Sequence, residues 1–219
     1  DLGDGTYEIT ATITDSALNA TSDTSTNELV VDTTAPSPAP TVNAQAANST
    51  TPTITGTATV GSGETLTVTV SGATYTVVPT GTSWSLDLSV ATPSSGSLTP
   101  LTDGNTYEVV ATITDGAGNA TSDASSNELT IDTGFPSPAP TVDADIANTA
   151  TPILTGTATV GAGETLTVTI SGATYTVVPT GTSWSLNLAT ATPTSGSLTP
   201  LVDGGVYEVV ATVTDGAGN

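Results

Sequence analysis

The chain has 219 residues with 21 aspartate and glutamate side chains and no lysine, arginine or histidine, so its formal charge is −21. Such a molecule repels nucleic acid and anionic membrane, attracts cations, and can form no ion pair except through its terminal amine. Without cysteine it has no disulfide and no thiolate chemistry, and no apolar run in it approaches the length of a membrane span. Aromatic residues make up only 4 % of the chain, but Val, Ile, Leu, Ala and Thr are frequent enough to read as strands rather than as an acidic disordered chain.

In chain order, residues 1–34 read as the closing strands F and G of one unit, 35–134 as a complete unit, and 135–219 as a further unit lacking its last strand. The complete unit has seven predicted strands, placed by alternation and turn residues. Strand A lies near Pro40 to Ala44, B runs from Pro52 to Thr59, and C from Thr65 to Val70 after "VGSGE". D covers Thr74 to Val78, E Ser83 to Leu88, F Thr106 to Asp115, and G Asn127 to Asp132. In F, Tyr107, Val109, Ala111 and Ile113 share one face, as a two-faced strand of a sandwich requires. The linkers "APSPAPTV" and "FPSPAPTV" each carry three prolines, which predicts stiff, extended connections, with protection of the edge of strand A as the alternative.

A repeat of one hundred residues underlies this division. "TGTATVGSGETLTV" from Thr55 returns as "TGTATVGAGETLTV" from Thr155, and "VVPTGTSWSL" from Val77 returns unchanged from Val177. That period suits one sandwich-sized domain rather than a solenoid coil. A chain cut this way would bare a hairpin at one end and a sheet edge at the other. Continuation beyond both ends, or strand complementation by another copy, is therefore expected.

"DGNTY" and "DGGVY", at Asp103 and Asp203, look like the tyrosine corner of immunoglobulin-like folds, where the phenol bonds back to the backbone. Together with the tandem units, "DGAGN" after strand F, "TIDTGFPSP" or "VVDTTAPSP" at the joint and "TGTATVGSGE" after B, they give a pattern that resembles the bacterial Ig-like extender repeats of large secreted adhesins, including RTX and biofilm-associated ones. The inner-sheet disulfide is missing, and Trp84 falls on strand E rather than C, so the resemblance is not to antibody domains. It covers the whole chain. It implies an all-β fold of tandem immunoglobulin-like seven-stranded Greek-key β-sandwiches arranged end to end, located at the bacterial cell surface. It also implies a stalk function, with joints commonly stiffened by calcium.

Topology places the acids independently of that resemblance. In a seven-stranded antiparallel sandwich the BC and FG loops share one pole, which meets the end of strand G of the preceding unit. One joint then gathers Asp32, Glu64, Asp115 and Asn119, and the next gathers Asp132, Glu164, Asp215 and Asn219. Three carboxylates in one small volume, with no cationic side chain available, call for a divalent ion. Calcium, with six to eight flexible oxygen ligands, fits better than magnesium or soft metals.

Each acid also has a plainer reading. Asp115 before Gly can make an Asx turn, Asp32 can end a strand, and Asn119 can close its own loop. Asp103 and Asp203 serve the corner turn, an equivalent role for Asp4 is in doubt because "DGTY" is one residue shorter, and Glu108 and Glu208 are solvated. Asp143 and Asp145 form a D-x-D pair that reads either as a second cation site or as loop acids.

No catalysis is expected, since carboxylate is the only usual general base and it sits at domain poles rather than in a cleft. Two non-enzymatic rivals remain. One is a calcium-dependent carbohydrate-binding module, with Trp84 and Trp184 predicted to be core but Tyr75 and Tyr175 able to face solvent. The other is a surface-layer or matrix filament. The expected partners are the neighbouring repeats, with no nucleic acid and no membrane insertion in this segment.

Overall fold

The computed structural model describes residues 1–219, which form strands, turns and loops without any helix. Two compact units divide the chain. The first comprises Asp1–Gln45, Thr51–Leu101 and Thr106–Thr130, the second Ala46–Thr50, Thr102–Asn105 and Ile131–Asn219.

The chain opens with β1 (Gly5–Tyr7), β2 (Thr12–Thr14), β3 (Ala20–Ser22) and β4 (Leu29–Val31); β1 pairs with β4 and β2 with β3. There follow β5 (Thr41–Val42), β6 (Gln45–Ala47), β7 (Thr53–Thr57), β8 (Thr65–Val70), β9 (Ala73–Val77), β10 (Ser83–Asp87) and β11 (Ser95–Gly96). After a loop come β12 (Thr106–Tyr107), β13 (Val109–Thr114), β14 (Ala120–Ser122) and β15 (Leu129–Ile131). In the first unit one sheet has the order β10-β7-β5 and another β11-β9-β8-β13-β14, with every pairing antiparallel.

Alternation along these strands decides what is buried. In β8, Leu66, Val68 and Val70 are buried while the intervening threonines are more open, and in β13 Val109, Ala111 and Ile113 are wholly buried. Trp84 and Leu86 of β10 face the same interior. Two such inward faces are the mark of a β-sandwich type of packing. The Trp84 ring lies over Gly56 of β7, and its Nε1–H donates to the Thr41 carbonyl at 3.1 Å.

The second unit contains β16 (Ile153–Thr157), β17 (Thr165–Ile170), β18 (Ala173–Val177), β19 (Ser183–Asn187), β20 (Ser195–Gly196) and β21 (Val209–Thr214). β16 pairs with β19, and a four-stranded sheet runs β20-β18-β17-β21. Its registers reproduce those of the first unit one hundred residues on: Leu66 faces Ile113 as Leu166 faces Val213. Trp184 again donates to a backbone carbonyl, that of Thr141, at 3.0 Å.

Several expectations change. The predicted strand A shortens to β5, with β6 a separate strand beyond its predicted end at Ala44, and F breaks at Glu108 into β12 and β13. The predicted G is preceded by β14, which pairs with β13, while β15 pairs with β12. Tyr75 and Tyr175 are not solvent-facing. Both are 2 % exposed, because they lie on the same inward face as Ala73 and Val77 in one unit and Ala173 and Val177 in the other. The linkers are not extended throughout, since the Ser37–Pro38 and Ser137–Pro138 peptide bonds are cis and the chain bends there. Proline permits this because its tertiary amide has only a small trans preference.

Candidate functional site

The sequence "DGAGN" forms a tight tip between β13 and β14. Asp115 Oδ1 accepts the backbone N–H of Ala117 at 2.9 Å and of Asn119 at 2.8 Å, while Oδ2 accepts the Asn119 Nδ2–H at 2.9 Å. These bonds, led by the one from the Asn119 side chain, hold the Asp115 carboxyl below the usual aspartate range. Gly118 takes a positive φ of 96°, the left-handed conformation that closes the turn. The plainer reading of Asp115, an Asx turn, therefore describes this tip.

The tip also reaches outward. Asn119 Nδ2 donates to the Asp32 backbone carbonyl at 2.9 Å, and Thr121 Oγ1 donates to the Pro36 carbonyl at 2.7 Å. In the second unit the same geometry recurs: Asn219 Nδ2 donates to Asp215 Oδ2 at 3.0 Å and to the Asp132 carbonyl at 2.7 Å. Asp215 is likewise held low, chiefly by Asn219. Asn48 Nδ2 donates to the Gly218 carbonyl at 3.2 Å.

Asn119 with Asp32, and Asn219 with Asp132, are thus brought together, but through a main-chain oxygen rather than through carboxylates. The Asp32 carboxylate accepts the N–H of Thr34 at 3.1 Å and that of Asp132 accepts Gly134 at 3.2 Å, each within its own turn. Glu64 and Glu164 fold back to accept the N–H of Gly61 and Gly161, both at 2.7 Å. The BC and FG loops do share a pole, since a Cβ on Gly116 would stand 4.0 Å from the Gly63 carbonyl. No three carboxylates lie close enough to share one metal ion. The joint oxygens that take no hydrogen bond are Asp32 Oδ2, Glu64 Oε1 and Asn119 Oδ1 in the first unit.

Other acids have structural partners that pattern reading missed. Between β14 and β15 the chain leaves the ladder of β13, and carboxylates take over its backbone donors. Asp123 Oδ1 accepts Ala111 N–H at 2.8 Å, and Glu128 Oε2 accepts Val109 N–H at 3.0 Å. Glu108, read as merely solvated, accepts Asn127 N–H at 2.8 Å. The equivalents Asp23, Glu28 and Glu8 hold Ala11, Ile9 and Asn27 in the same way. At the corner, Asp103 accepts Thr133 N–H at 2.6 Å, and Asp4 binds the N–H and hydroxyl of Thr33 and the hydroxyl of Thr34. The D-x-x-x-N-E spacing of these loops, Asp23 to Glu28 and Asp123 to Glu128, carries no periodic signal, so only the broken ladder reveals their role.

Of the predicted corner phenols, Tyr207 Oη accepts Val202 N–H at 2.7 Å, and in the shorter first motif Tyr7 donates to the Gly3 carbonyl at 2.8 Å. Asp143 Oδ2 accepts the Thr155 hydroxyl at 2.8 Å, a contact that Asn43 makes to Thr55 as donor. A shallow groove nearby is lined by Asp143, Thr157, Thr180, Ser183 and Ser185. Trp184 lines it too, but only 2 % of that residue is exposed. No family model and no curated protein matches the chain.

Proposed function

We propose that the chain is a segment of an extracellular stalk from a bacterial surface adhesin, built from serial immunoglobulin-like sandwiches that act as spacers. The observation that carries this reading is the pair of identical joint contacts, Asn119 to the Asp32 carbonyl and Asn219 to the Asp132 carbonyl, one hundred residues apart. A spacer repeats both its parts and its connections. The sugar-binding alternative is short of stacking surface: both tryptophans, Tyr75 and Tyr175 are buried, Tyr7, Tyr107 and Tyr207 are half-buried, and Phe135 is the one exposed aromatic side chain.

Calcium enters this proposal as a ligand of the joints, expected to bind at the millimolar concentrations typical of extracellular modules. Asp32, Glu64 and Asn119 would supply the oxygens that take no hydrogen bond, with Asp132, Glu164 and Asn219 as counterparts; Asp115 and Asp215 would orient the asparagines. The ion would supply positive charge to a chain that has none of its own in side chains.

Small-angle scattering of chains with increasing repeat number, in calcium and in chelator, tests the reading. The maximum dimension should grow by ~30–45 Å per repeat, from strands rising ~3.3 Å per residue plus a linker. Growth by less than half of that with each added repeat would defeat the stalk. A profile identical with and without calcium would remove the ion while leaving the stalk in place.

A further inference from the structure

The D-x-x-x-N tip is closed by its own hydrogen bonds. Asp15 Oδ1 accepts Ala17 and Asn19 N–H at 2.8 and 2.9 Å, and Oδ2 accepts Asn19 Nδ2–H at 2.8 Å, the same set as at Asp115 and Asp215. Leu18, with φ 70°, does there what Gly118 and Gly218 do in the other tips. An amide nitrogen carries two hydrogens. In all three tips the first satisfies the aspartate. In two of them the second goes to a main-chain carbonyl just beyond a strand end, Asp32 after β4 and Asp132 after β15. In the third, Asn19, it has no acceptor among the described residues.

The acceptor is presented by its own turn. Oδ1 of Asp32 and of Asp132 turns to the N–H of Thr34 and Gly134, and it is the main-chain oxygen that accepts from the tip. A carbonyl at the end of a strand has left the ladder and needs a donor from elsewhere. Each contact is reinforced by a second, Thr121 Oγ1 to the Pro36 carbonyl in one case and Asn48 Nδ2 to the Gly218 carbonyl in the other.

We infer that this tip is a docking surface for the strand end of a preceding repeat, that it recognises one backbone carbonyl through the free hydrogen of its asparagine, and that it closes without a metal ion. The inference rests on the stalk reading for its biological meaning, but its geometry is independent of calcium. Since the acceptor is main chain, the tip selects a conformation of the incoming segment rather than a side chain. Since the donor is an amide, neither partner titrates, and salt screens the contact little.

Nuclear magnetic resonance of the whole labelled chain in chelator tests this. A through-hydrogen-bond coupling is expected from Asn119 Nδ2 to the Asp32 carbonyl carbon, and from Asn219 to that of Asp132. The side-chain amide of Asn119 should exchange about tenfold more slowly than that of Asn19, which makes one bond fewer. Asn119→Asp keeps the shape but has no hydrogen to donate. It should mobilise the backbone from Asp32 to Pro38 while leaving the Asn219 coupling as an internal control. If the variant does not fold, the couplings in the unaltered chain decide alone. Couplings that appear only after calcium is added would overturn metal independence. Linker motion unchanged in a folded Asn119→Asp chain would overturn the docking role. Neither result touches particle length, which tests the stalk separately.

Discussion

Glu128 is 3 % exposed, and its Oε2 holds the backbone N–H of Val109 where a neighbouring strand would otherwise stand. Its other oxygen, Oε1, is buried without a partner. The first oxygen satisfies a donor on a residue that is itself wholly buried, and this outweighs the presence of an acid in the interior. Replacement by Leu should therefore destabilise the first unit by about 1–3 kcal/mol, the cost of a stranded buried donor. Glu128→Gln keeps an acceptor and should cost less than Glu128→Leu. Urea unfolding followed by circular dichroism measures both; equal midpoints for the two variants would mean that the Val109 bond contributes nothing.

Asp123 does the same two residues along β13, accepting Ala111 N–H while its other oxygen takes the Ser125 hydroxyl. Asp123→Asn retains an acceptor and should be tolerated, whereas Asp123→Ala should cost roughly 1–2 kcal/mol. Because Val109 and Ala111 lie on one strand, Asp123→Ala combined with Glu128→Leu should be non-additive by about 0.5 kcal/mol or more. A double-mutant cycle reads that term.

Gly56 and Gly156 lie beneath the tryptophans, where an added Cβ would collide with a backbone carbonyl, that of Thr41 or Thr141, as well as with the indole. A backbone carbonyl cannot move as a side-chain end can. Gly56→Ala and Gly156→Ala should each cost about 3 kcal/mol or more, at the upper end of overpacking effects. Thermal unfolding of the two single variants, with Trp fluorescence as reporter, should show matched losses.

Acid should act in two opposing ways. Asp4, Asp103, Asp115 and Asp215 are all held below the usual aspartate range by hydrogen bonds, from the Thr33 side chain, the Thr133 backbone, and the Asn119 and Asn219 side chains respectively. A carboxyl depressed in the folded state contributes stability that is full above its unfolded value and is lost as pH falls through its lowered value. Meanwhile protonation of the other acids relieves the self-repulsion of a chain with no basic side chain. Melting temperature should hold or rise from neutral pH to about pH 5, then fall below about pH 4. In Asp115→Asn the acid-side fall should be shallower; a slope as steep as in the parent chain would show that Asp115 plays no part.

What the sequence discloses is what alternation controls. Strand β8 lies at its predicted bounds, Thr65 to Val70, and Trp84 is buried as its spacing with Leu86 implies. The breaks at Glu108 and after Ser122 are another matter. They arise where side-chain oxygens replace a ladder, and a carboxylate bonded to an amide looks in a sequence like one in water. The acids assigned to a joint ion illustrate the same limit. Topology brings Asn119 to Asp32, but it does not say whether a carboxylate faces the joint or its own turn, and Glu64 chose Gly61. Asn119 reaches Asp32 through its nitrogen, a contact that a count of oxygen ligands does not anticipate.

The identical registers of β8 with β13 and of β17 with β21 have a consequence for how such a chain must fold. The partners are nearly interchangeable: "VVATIT" and "VVATVT" differ by one methylene group, as do "TLTVTV" and "TLTVTI". A denatured tandem can therefore marry a strand to the wrong neighbour at almost no energetic disadvantage, an intramolecular error that dilution does not suppress. Emergence of the polypeptide from one end, so that an earlier module closes before its twin is available, would avoid the mistake. Refolding yields that drop with module number yet ignore protein concentration would carry its signature.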